Sequence, residues 1–215
     1  MAQKTTGIRK FLATPWIYDF LQNLVGANAS RKRWIGEFVK PFAGARILDV
    51  GCGTGVILKF LPQNTSYLGF DLSPEYIDSA KKIFGNRGDF KCAEIDSFLK
   101  EGFEELNFSN SSQFDLALSF GVLHHLDDIQ AAKVFQCAAQ ILKPTGRLIT
   151  YDPTFTTGQS FLSKYIVSKD RGQNIRNPDQ YADLGRAYFK SVKINVWTNG
   201  LRIPSHQAIL VCDNN

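Results

Sequence analysis

The sequence predicts a doubly wound α/β domain, in which helices cover both faces of a mostly parallel β-sheet. Between residues 45 and 153, apolar strand-like runs alternate with helical segments over short connections. The strand-like runs are almost continuously apolar, as is typical of strands that are buried on both faces of a parallel sheet. A loop with three glycines, Gly51, Gly53 and Gly55, directly follows the first run. These features predict an open sheet with a tight glycine loop at the end of its first strand.

Five strands and four helices are predicted within this core. The second helix has the clearest beginning, because Ser73 is a favourable N-cap and Pro74 suits the first helical position. In chain order, the predicted strands are 46–50, 67–71, 89–94, 114–120 and 146–151, and the predicted helices are 56–61, 73–84, 98–106 and 127–142.

The N-terminal segment, residues 1–44, is predicted to form a helical cap on this core. An apolar stripe in its first half indicates a helix that breaks at Gly26 and Asn28. A second helix is then expected to begin with Ser30 as its N-cap.

The C-terminal part of the chain departs from the α/β alternation. Residues 154–190 contain few aliphatic side chains and a polar cluster, so they are interpreted as an insertion. Residues 191–215 return to strand-like patterning, with a hairpin-type turn signal at Asn199-Gly200. The last two strands are therefore expected to pair antiparallel.

Composition excludes several classes of protein. No apolar run approaches the roughly 20 residues of a membrane span, and the N-terminus lacks the apolar stretch of a signal peptide, so a cytoplasmic protein is expected. The four cysteines are widely spaced, which predicts reduced thiols and no zinc site. The net charge of +5 is modest. Its densest run, at residues 30–33, suits a nucleic-acid contact, a solvated helix face or a clamp for an anion.

The glycine loop and a later acid form a constellation that suits a nucleoside. Glycine permits a sharp turn and lets a ligand approach the backbone closely, and the helix behind the loop offers unpaired N–H groups. Asp71 follows Gly51 by twenty residues, at the end of the second strand, where a carboxylate can accept both hydroxyls of a ribose. The alternative is that the glycines only permit a tight turn.

Four stretches together resemble the class I S-adenosylmethionine (SAM)-dependent methyltransferases. They are the D-x-G-x-G-x-G form at 49–55, GFDLSPEYI at 69–77, FDLALSFGVLHHL at 114–126 and LKPTGRLI at 142–149. The resemblance covers about residues 46–152. It implies a seven-stranded sheet whose last strand is antiparallel, SAM as cofactor and a small-molecule acceptor with oxygen slightly preferred. A nucleic-acid or protein methyltransferase, or a SAM-fold protein without activity, remains the alternative.

The resemblance assigns a role to each cofactor-binding position. The glycine loop would approach the methionine half, with Asp49 orienting either the loop or the amino group. Asp71 would bind the ribose hydroxyls, and the residues after the second and third strands would bind the adenine. The end of the fourth strand would lie near the sulfonium. The predicted cofactor residues are Asp49, Gly51, Cys52, Gly53, Asp71, Leu72, Glu94, Ile95, Ser119 and Phe120.

The catalytic and acceptor-binding residues are predicted from the remaining polar groups. A neutral imidazole can take a proton from a nucleophile near neutral pH, so His124 is a candidate general base. The alternatives are that the imidazole only packs against the next helix, or that alignment of the reactants suffices. Residues 154–190 are expected to form a lid over the acceptor. The predicted acceptor-binding residues are Tyr18, His125, Arg171 and Arg176, whereas Asp127-Asp128 indicates a helix N-terminus and no metal is expected.

Overall fold

A seven-stranded sheet forms the centre of the computed structural model, which describes residues 27–98, 114–198, 200 and 203–214. The strand order is β3-β2-β1-β4-β5-β7-β6. Strands β1 to β5 are parallel, whereas β7 pairs antiparallel with both β5 and β6. The strands are β1 (Arg46–Val50), β2 (Ser66–Asp71), β3 (Asp89–Cys92), β4 (Phe114–Phe120), β5 (Leu142–Pro153), β6 (Ser191–Trp197) and β7 (Gln207–Asp213). The predicted mostly parallel α/β sheet with an antiparallel last strand is confirmed.

Helices pack on both faces of this sheet. The helices are α1 (Ala27–Trp34), α2 (Pro74–Phe84), α3 (Asp128–Ile141), α4 (Phe161–Ser168) and α5 (Pro178–Arg186). Short helical turns lie at Ile35–Val39, Val56–Phe60, Gly85–Arg87 and Leu123–His125.

Two hydrophobic cores result, one for each face of the sheet. Successive side chains of a strand point to opposite faces, so Ile47 belongs to one core and Leu48 to the other. Helices α3 and α5 contribute to the core of Leu48, whereas α1 and α2 contribute to the core of Ile47. Burying one such aliphatic side chain stabilises the fold by roughly 1.5–3 kcal/mol. The sheet is therefore fixed from both sides, and its strand ends are left to build the site.

Local sequence signals explain where two of the helices begin. The Ser73 hydroxyl accepts from the backbone N–H of Tyr76 at 3.2 Å, and Pro74 is the first residue of α2. Asp127 caps α3 in the same way, accepting from the N–H of Gln130 at 2.8 Å. Both helix starts agree with the sequence prediction, including the reading of Asp127 and Asp128 as helix N-terminal charges.

The predicted start of the second N-terminal helix is wrong. Helix α1 already includes Ala27 and Asn28, so Ser30 lies inside it, with 3% of its surface exposed. Asn28 is compatible with the helix because its side-chain oxygen accepts from Arg31 Nη1, one turn later, at 3.2 Å. Strand β3 is also shorter than predicted, ending at Cys92.

Some predictions fall outside the described residues. These are the N-terminal apolar stripe, most of the helix predicted at 98–106, and Asn199 of the turn signal. Within the described part of the chain, no helix is both long and apolar enough to cross a membrane. The four cysteines are unpaired thiols, as predicted.

Candidate active site

The glycine loop turns sharply away from the end of β1. Gly51, Gly53 and Gly55 have φ angles of 73°, 55° and 68°, a left-handed conformation that other residues rarely adopt. A Cβ at Gly51 would lie 2.4 Å from Val122 Cγ2, and one at Gly55 would lie 2.7 Å from Phe90 Cε1. A Cβ at Gly53 would meet nothing within 4 Å. The first and third glycines therefore allow close packing, while the middle one borders open space.

The backbone of this loop is bound to strand β2. The N–H groups of Gly51 and Cys52 both donate to the carbonyl of Phe70, at 2.8 and 3.0 Å. The Cys52 side chain lies so close to Gly69 that a Cβ there would be 2.8 Å from Cys52 Sγ. Cys52 therefore packs inward against β2, and its carbonyl accepts from the N–H of Gly55 at 2.9 Å, which closes the loop.

Asp71 connects the glycine loop to the start of helix α2. One carboxylate oxygen accepts from the N–H of Gly53 at 3.0 Å, and the other accepts from the N–H of Ser73 at 2.9 Å. Burial raises the pKa of Asp71, while these hydrogen bonds oppose the rise. The side chain lies at the end of β2, directly beside the loop, so one carboxylate organises both elements.

Asp49 lies beneath the loop, with 2% of its surface exposed. Its Oδ2 accepts from the Tyr67 hydroxyl at 2.6 Å. Burial raises the pKa of Asp49 to about 7, the nearby charge of Asp71 adds to the rise, and the hydrogen bond from Tyr67 opposes it. Near neutral pH this carboxyl is therefore close to its own titration midpoint.

The remaining predicted cofactor residues lie at the ends of β2, β3 and β4. Leu72 is half-buried, Glu94 is exposed and Ile95 is half-buried. Ser119 is fully buried, and its hydroxyl has no hydrogen-bond partner. Phe120 contacts Trp34 edge-on, with 4.2 Å between ring centroids. The structure thus brings these residues to one edge of the sheet, and their roles stay predictions.

His124 lies between two carboxylates. Its Nδ1 is 2.8 Å from Asp152 Oδ1, its Nε2 is 3.0 Å from Asp170 Oδ1, and 5% of its side chain is exposed. Burial alone lowers the pKa of His124, but the hydrogen bonds and charges of Asp152 and Asp170 outweigh it and raise the pKa to about 9. The same ion pair outweighs the effect of burial on Asp170 and lowers its pKa to about 2.

The role of His124 as a general base stays a prediction. Both ring nitrogens face carboxylate oxygens, and these partners favour the protonated imidazole, which cannot accept a proton. Its neighbour His125 differs, because burial and the charge of His124 lower its pKa to about 4. His125 is therefore a neutral imidazole at physiological pH, and its ring centroid lies 4.0 Å from that of His124.

Arg176 does not reach an acceptor as the sequence predicts. It is 7% exposed, and its Nη1 and Nη2 donate to the carbonyls of Leu123 and Leu126, each at 2.9 Å. Its Nε and Nη2 also donate to Asp128 Oδ1, at 2.9 and 2.7 Å. The guanidinium is thus occupied by hydrogen bonds within the protein, and Arg176 has a structural role.

The other predicted acceptor-binding residues have mixed outcomes. Arg171 is half-buried and its charge acts on His125, so it remains a candidate. Tyr18 lies outside the described residues.

The two carboxylates that contact His124, those of Asp152 and Asp170, were not among the residues predicted from the sequence. Asp152 is buried at the end of β5, a position where parallel strands commonly present ligand-binding groups, so the sequence carried a signal for it. Asp170 carried none, because only the packing of its segment brings it to His124.

His124, His125 and Asp170 also form a cluster of metal-ligand types, with one candidate atom from each lying within 4.8 Å of the others. Both nitrogens of His124 are already paired with carboxylates. The structure accounts for this cluster as an ion-pair chain, and the absence of a metal stays a prediction.

Comparison with known proteins finds relatives of the core. Residues 48–148 match the family model described as "Methyltransferase domain". A ubiquinone biosynthesis O-methyltransferase of Xylella fastidiosa is 32% identical over 125 residues, which cover 56% of this chain and 46% of that protein. A ubiquinone/menaquinone biosynthesis C-methyltransferase of Geotalea daltonii is 28% identical over 160 residues, which cover 69% of this chain and 63% of that protein.

A solved structure with the same fold is the TehB-like SAM-dependent methyltransferase of Corynebacterium glutamicum. It superposes with a TM-score of 0.58 and 22% sequence identity, and the match covers 92% of this chain and 96% of that one. By contrast, the chain spans less than two thirds of the two curated relatives described above.

Proposed function

We propose that the protein is a SAM-dependent methyltransferase that methylates a small-molecule acceptor, preferentially at oxygen; residues 48–148 match the family model described as "Methyltransferase domain", and the fold is that of a solved SAM-dependent methyltransferase. The observation that carries the proposal is the bond between the Asp71 carboxylate and the Gly53 N–H, 3.0 Å long. It joins the open middle of the glycine loop to the acid at the end of β2. A loop that served only as a tight turn would not require a buried acid at this point.

The residues at the sheet edge fit SAM in size and polarity. Open space borders Gly53, where a side chain would meet nothing within 4 Å. The Ser119 hydroxyl is buried without a partner, which is costly unless a ligand satisfies it. Asp71 retains lone pairs for ribose hydroxyls, because a carboxylate has about four acceptor sites and two are used.

Bound SAM supplies a methyl group that its sulfonium already activates for transfer. The protein then has to bind SAM and the acceptor, orient them toward each other and exclude water. We assign Gly51, Cys52 and Gly53 to the methionine half, with Asp49 beneath them, and Leu72, Glu94 and Ile95 to the adenine. Both ring nitrogens of His124 face carboxylates, so the proposal contains no proton transfer to it. Alignment of donor and acceptor provides the rate enhancement, an effect worth about 7–11 kcal/mol in favourable cases.

An aromatic wall next to Ser119 supports a small apolar acceptor. Phe120 and Tyr151 are direct neighbours at the ends of β4 and β5, and Trp34 lies against both rings, at centroid distances of 4.2 and 5.4 Å. Trp34 is buried, so the apolar surface left for an aromatic or quinone-like molecule is that of the half-buried Phe120 and Tyr151. Two of the relatives are named for ubiquinone biosynthesis, which agrees with an acceptor of this kind.

The basic run of α1 gives little support to a nucleic-acid acceptor. Arg31 is bonded within its own helix to Asn28, and the Arg33 guanidinium lies 5.0 Å from the centroid of the Trp197 ring. These contacts are those of a helix surface that packs against the protein. A phosphate-binding surface would instead require several cations that face outward together.

The experiment uses SAM with a labelled methyl group. The purified protein is incubated with labelled SAM and cell extract, and the labelled products are separated by size. We expect the label in small molecules, and in a form resistant to mild base if the product is an ether. Label in protein or nucleic acid would contradict the small-molecule assignment. Tighter binding of NAD than of S-adenosylhomocysteine in calorimetry would contradict the family-based choice of cofactor.

A further inference from the structure

Residues 170–176, here called the strap, connect α4 to α5 and lie against the turn Leu123–His125. The N–H of Asn174 donates to the His124 carbonyl at 2.9 Å. A Cβ at Gly172 would lie only 2.1 Å from His124 Cδ2, so strap and turn are in direct contact there. At the end of the strap, Arg176 binds the carbonyls of Leu123 and Leu126.

One ion-pair chain ties this strap to the central sheet. Asp152 on β5 holds Nδ1 of His124, and Asp170 at the start of the strap holds Nε2. Asp152 is 1% exposed, whereas 37% of the Asp170 side chain is exposed. The bond between Asp152 and His124, at the buried end of the ion-pair chain, is therefore fixed. The bond between His124 and Asp170, at the exposed end, is the one that can break.

The turn beneath the strap borders the glycine loop. Val122 fills the space above Gly51, and a Cβ at Gly121 would lie 3.7 Å from His124 Cε1. The strap thus covers the turn that follows β4, and Val122 connects this turn to the glycine loop. Any movement of the strap would change the acceptor side of the site and leave the ribose-binding acid, Asp71, in place.

We propose that Asp152 and Asp170 are positioning residues, which hold His124 between them and thereby keep the strap closed on the acceptor side of the site. The catalytic consequence rests on the proposed function, whereas the closure itself does not. The titratable and charged groups around His124 are Asp152 on β5, Asp170, Arg171 and Arg176 on the strap, His125 on the same turn, and Tyr181 on α5.

The test removes the exposed carboxylate of the ion-pair chain by the substitution Asp170→Asn, with the rest of the sequence unchanged. Hydrogen exchange of the Asn174 amide reports strap closure, and NMR of the His124 ring reports its titration. We expect the protection factor of Asn174 to fall at least about tenfold, since a charge-assisted hydrogen bond is lost. The pH midpoint of His124 should also fall, which a merely structural contact would not cause. Asp170→Glu, which restores the charge, should recover part of the protection.

A matched control removes a charge that does not touch His124. Asp179→Asn, exposed in the first turn of α5, should leave both the Asn174 amide and the His124 midpoint unchanged. Protection within twofold of the unmodified protein in Asp170→Asn, or an unmoved His124 midpoint, would overturn the proposal. Loss of Asn174 protection on adding a chelator would also overturn it, because a metal would then hold the strap.

Binding of S-adenosylhomocysteine separates this proposal from the proposed function. Calorimetry should give affinities within about twofold of each other for Asp170→Asn and the unmodified protein, since the cofactor residues are untouched. If neither protein binds S-adenosylhomocysteine, the proposed function is contradicted, whereas the measurement of strap closure remains valid. A large loss in the variant alone would show that the strap acts on the cofactor side, contrary to the proposal.

Discussion

At the residue scale, Asp49 and Asp71 show how neighbouring carboxyls acquire different tasks. Asp71 accepts from two backbone N–H groups, which favour its charged form. Asp49 is more deeply buried and accepts from a tyrosine hydroxyl, and its pKa lies at about 7. The two N–H groups therefore oppose the rise in pKa that burial causes at Asp71, whereas at Asp49 burial prevails.

Replacing Asp71 by Ala should weaken the binding of S-adenosylhomocysteine at least about tenfold. The substitution removes the acceptor for the ribose hydroxyls, and a hydrogen bond to a charged group is worth about 1.5–3 kcal/mol. It also frees the Gly53 N–H, so the loop loses a contact. Calorimetry provides the measurement, with Asp89→Asn on the exposed start of β3 as control. An unchanged affinity in a folded Asp71→Ala variant would remove Asp71 from the cofactor site.

The titration of Asp49 predicts a pH dependence of cofactor binding. If Asp49 pairs with the amino group of the cofactor, it must be ionised in the complex, so binding below its pKa of about 7 releases a proton. The affinity for S-adenosylhomocysteine should then fall as the pH decreases, by up to about tenfold per pH unit below 7. Asp49→Asn should abolish this slope. A flat profile in the unmodified protein would leave Asp49 with the other predicted role, that of orienting the loop.

The His124 environment shows which part of the site could not be predicted from sequence. The position of His124 after β4 could be predicted, because the motif and the strand are local features. The role could not, because it depends on Asp152 and Asp170, which lie 28 and 46 positions away in the sequence. Such neighbours decide the pKa of an imidazole, and here they raise that of His124, which the residue type alone did not indicate.

At the element scale, prediction succeeded wherever a local signal marks a boundary. Strands β1 and β4 have the predicted bounds, because each is an apolar run with polar or glycine residues beyond it. Helices α2 and α3 begin at their predicted caps. Helix α1 was misjudged because a serine that resembles an N-cap can also lie inside a helix when its neighbours are favourable.

The glycine loop allows binding and folding to be separated by three substitutions. Gly53→Ala introduces strain of about 1–2 kcal/mol from its φ of 55°, without a clash. Gly51→Ala adds a clash with Val122, which should lower the melting temperature further. Gly44→Ala is the matched control, because its φ is 81° and it too would meet nothing within 4 Å, but it lies before β1.

We expect Gly53→Ala to weaken S-adenosylhomocysteine binding more than Gly44→Ala does, at a similar melting temperature. Thermal unfolding and calorimetry on the same samples make the comparison. Equal affinities in these two variants would show that the open space at Gly53 does not face the cofactor.

At the scale of the whole molecule, the ion-pair chain joins the sheet to the segment between β5 and β6. The strap binds His124 through Asp170 and the Asn174 N–H, and its Arg176 binds the carbonyls of Leu123 and Leu126, so part of the packing of residues 154–190 is electrostatic. The fold class of the core follows from its hydrophobic pattern, and the seven strands with an antiparallel last strand follow from the family resemblance. The attachment of the strap follows from tertiary contacts between charged groups, which no sequence pattern encodes.

This attachment makes the stability of the whole protein depend on pH. The pKa of His124 is about 9 in the folded protein, above the usual 6.5, so the folded state binds more protons than the unfolded state between these values. Its stabilising contribution is complete below about pH 6.5 and is lost as the pH rises through about 9. Other groups also titrate here. The titration of Asp49 is complete by about pH 8, and the cysteine thiols of the unfolded protein begin to ionise near pH 8.5.

The difference between two proteins isolates the contribution of His124 from these other groups. We expect the melting temperature of the unmodified protein to decrease between pH 6.5 and 9 by several degrees, since the loss amounts to on the order of 3 kcal/mol. Asp170→Asn should melt lower at pH 6.5 and decrease less steeply, because the carboxylate that raises the His124 pKa is absent. The two curves should therefore converge toward pH 9, whereas Asp179→Asn should follow the unmodified protein throughout. Parallel curves for Asp170→Asn and the unmodified protein would show that His124 carries no net charge between its two carboxylates.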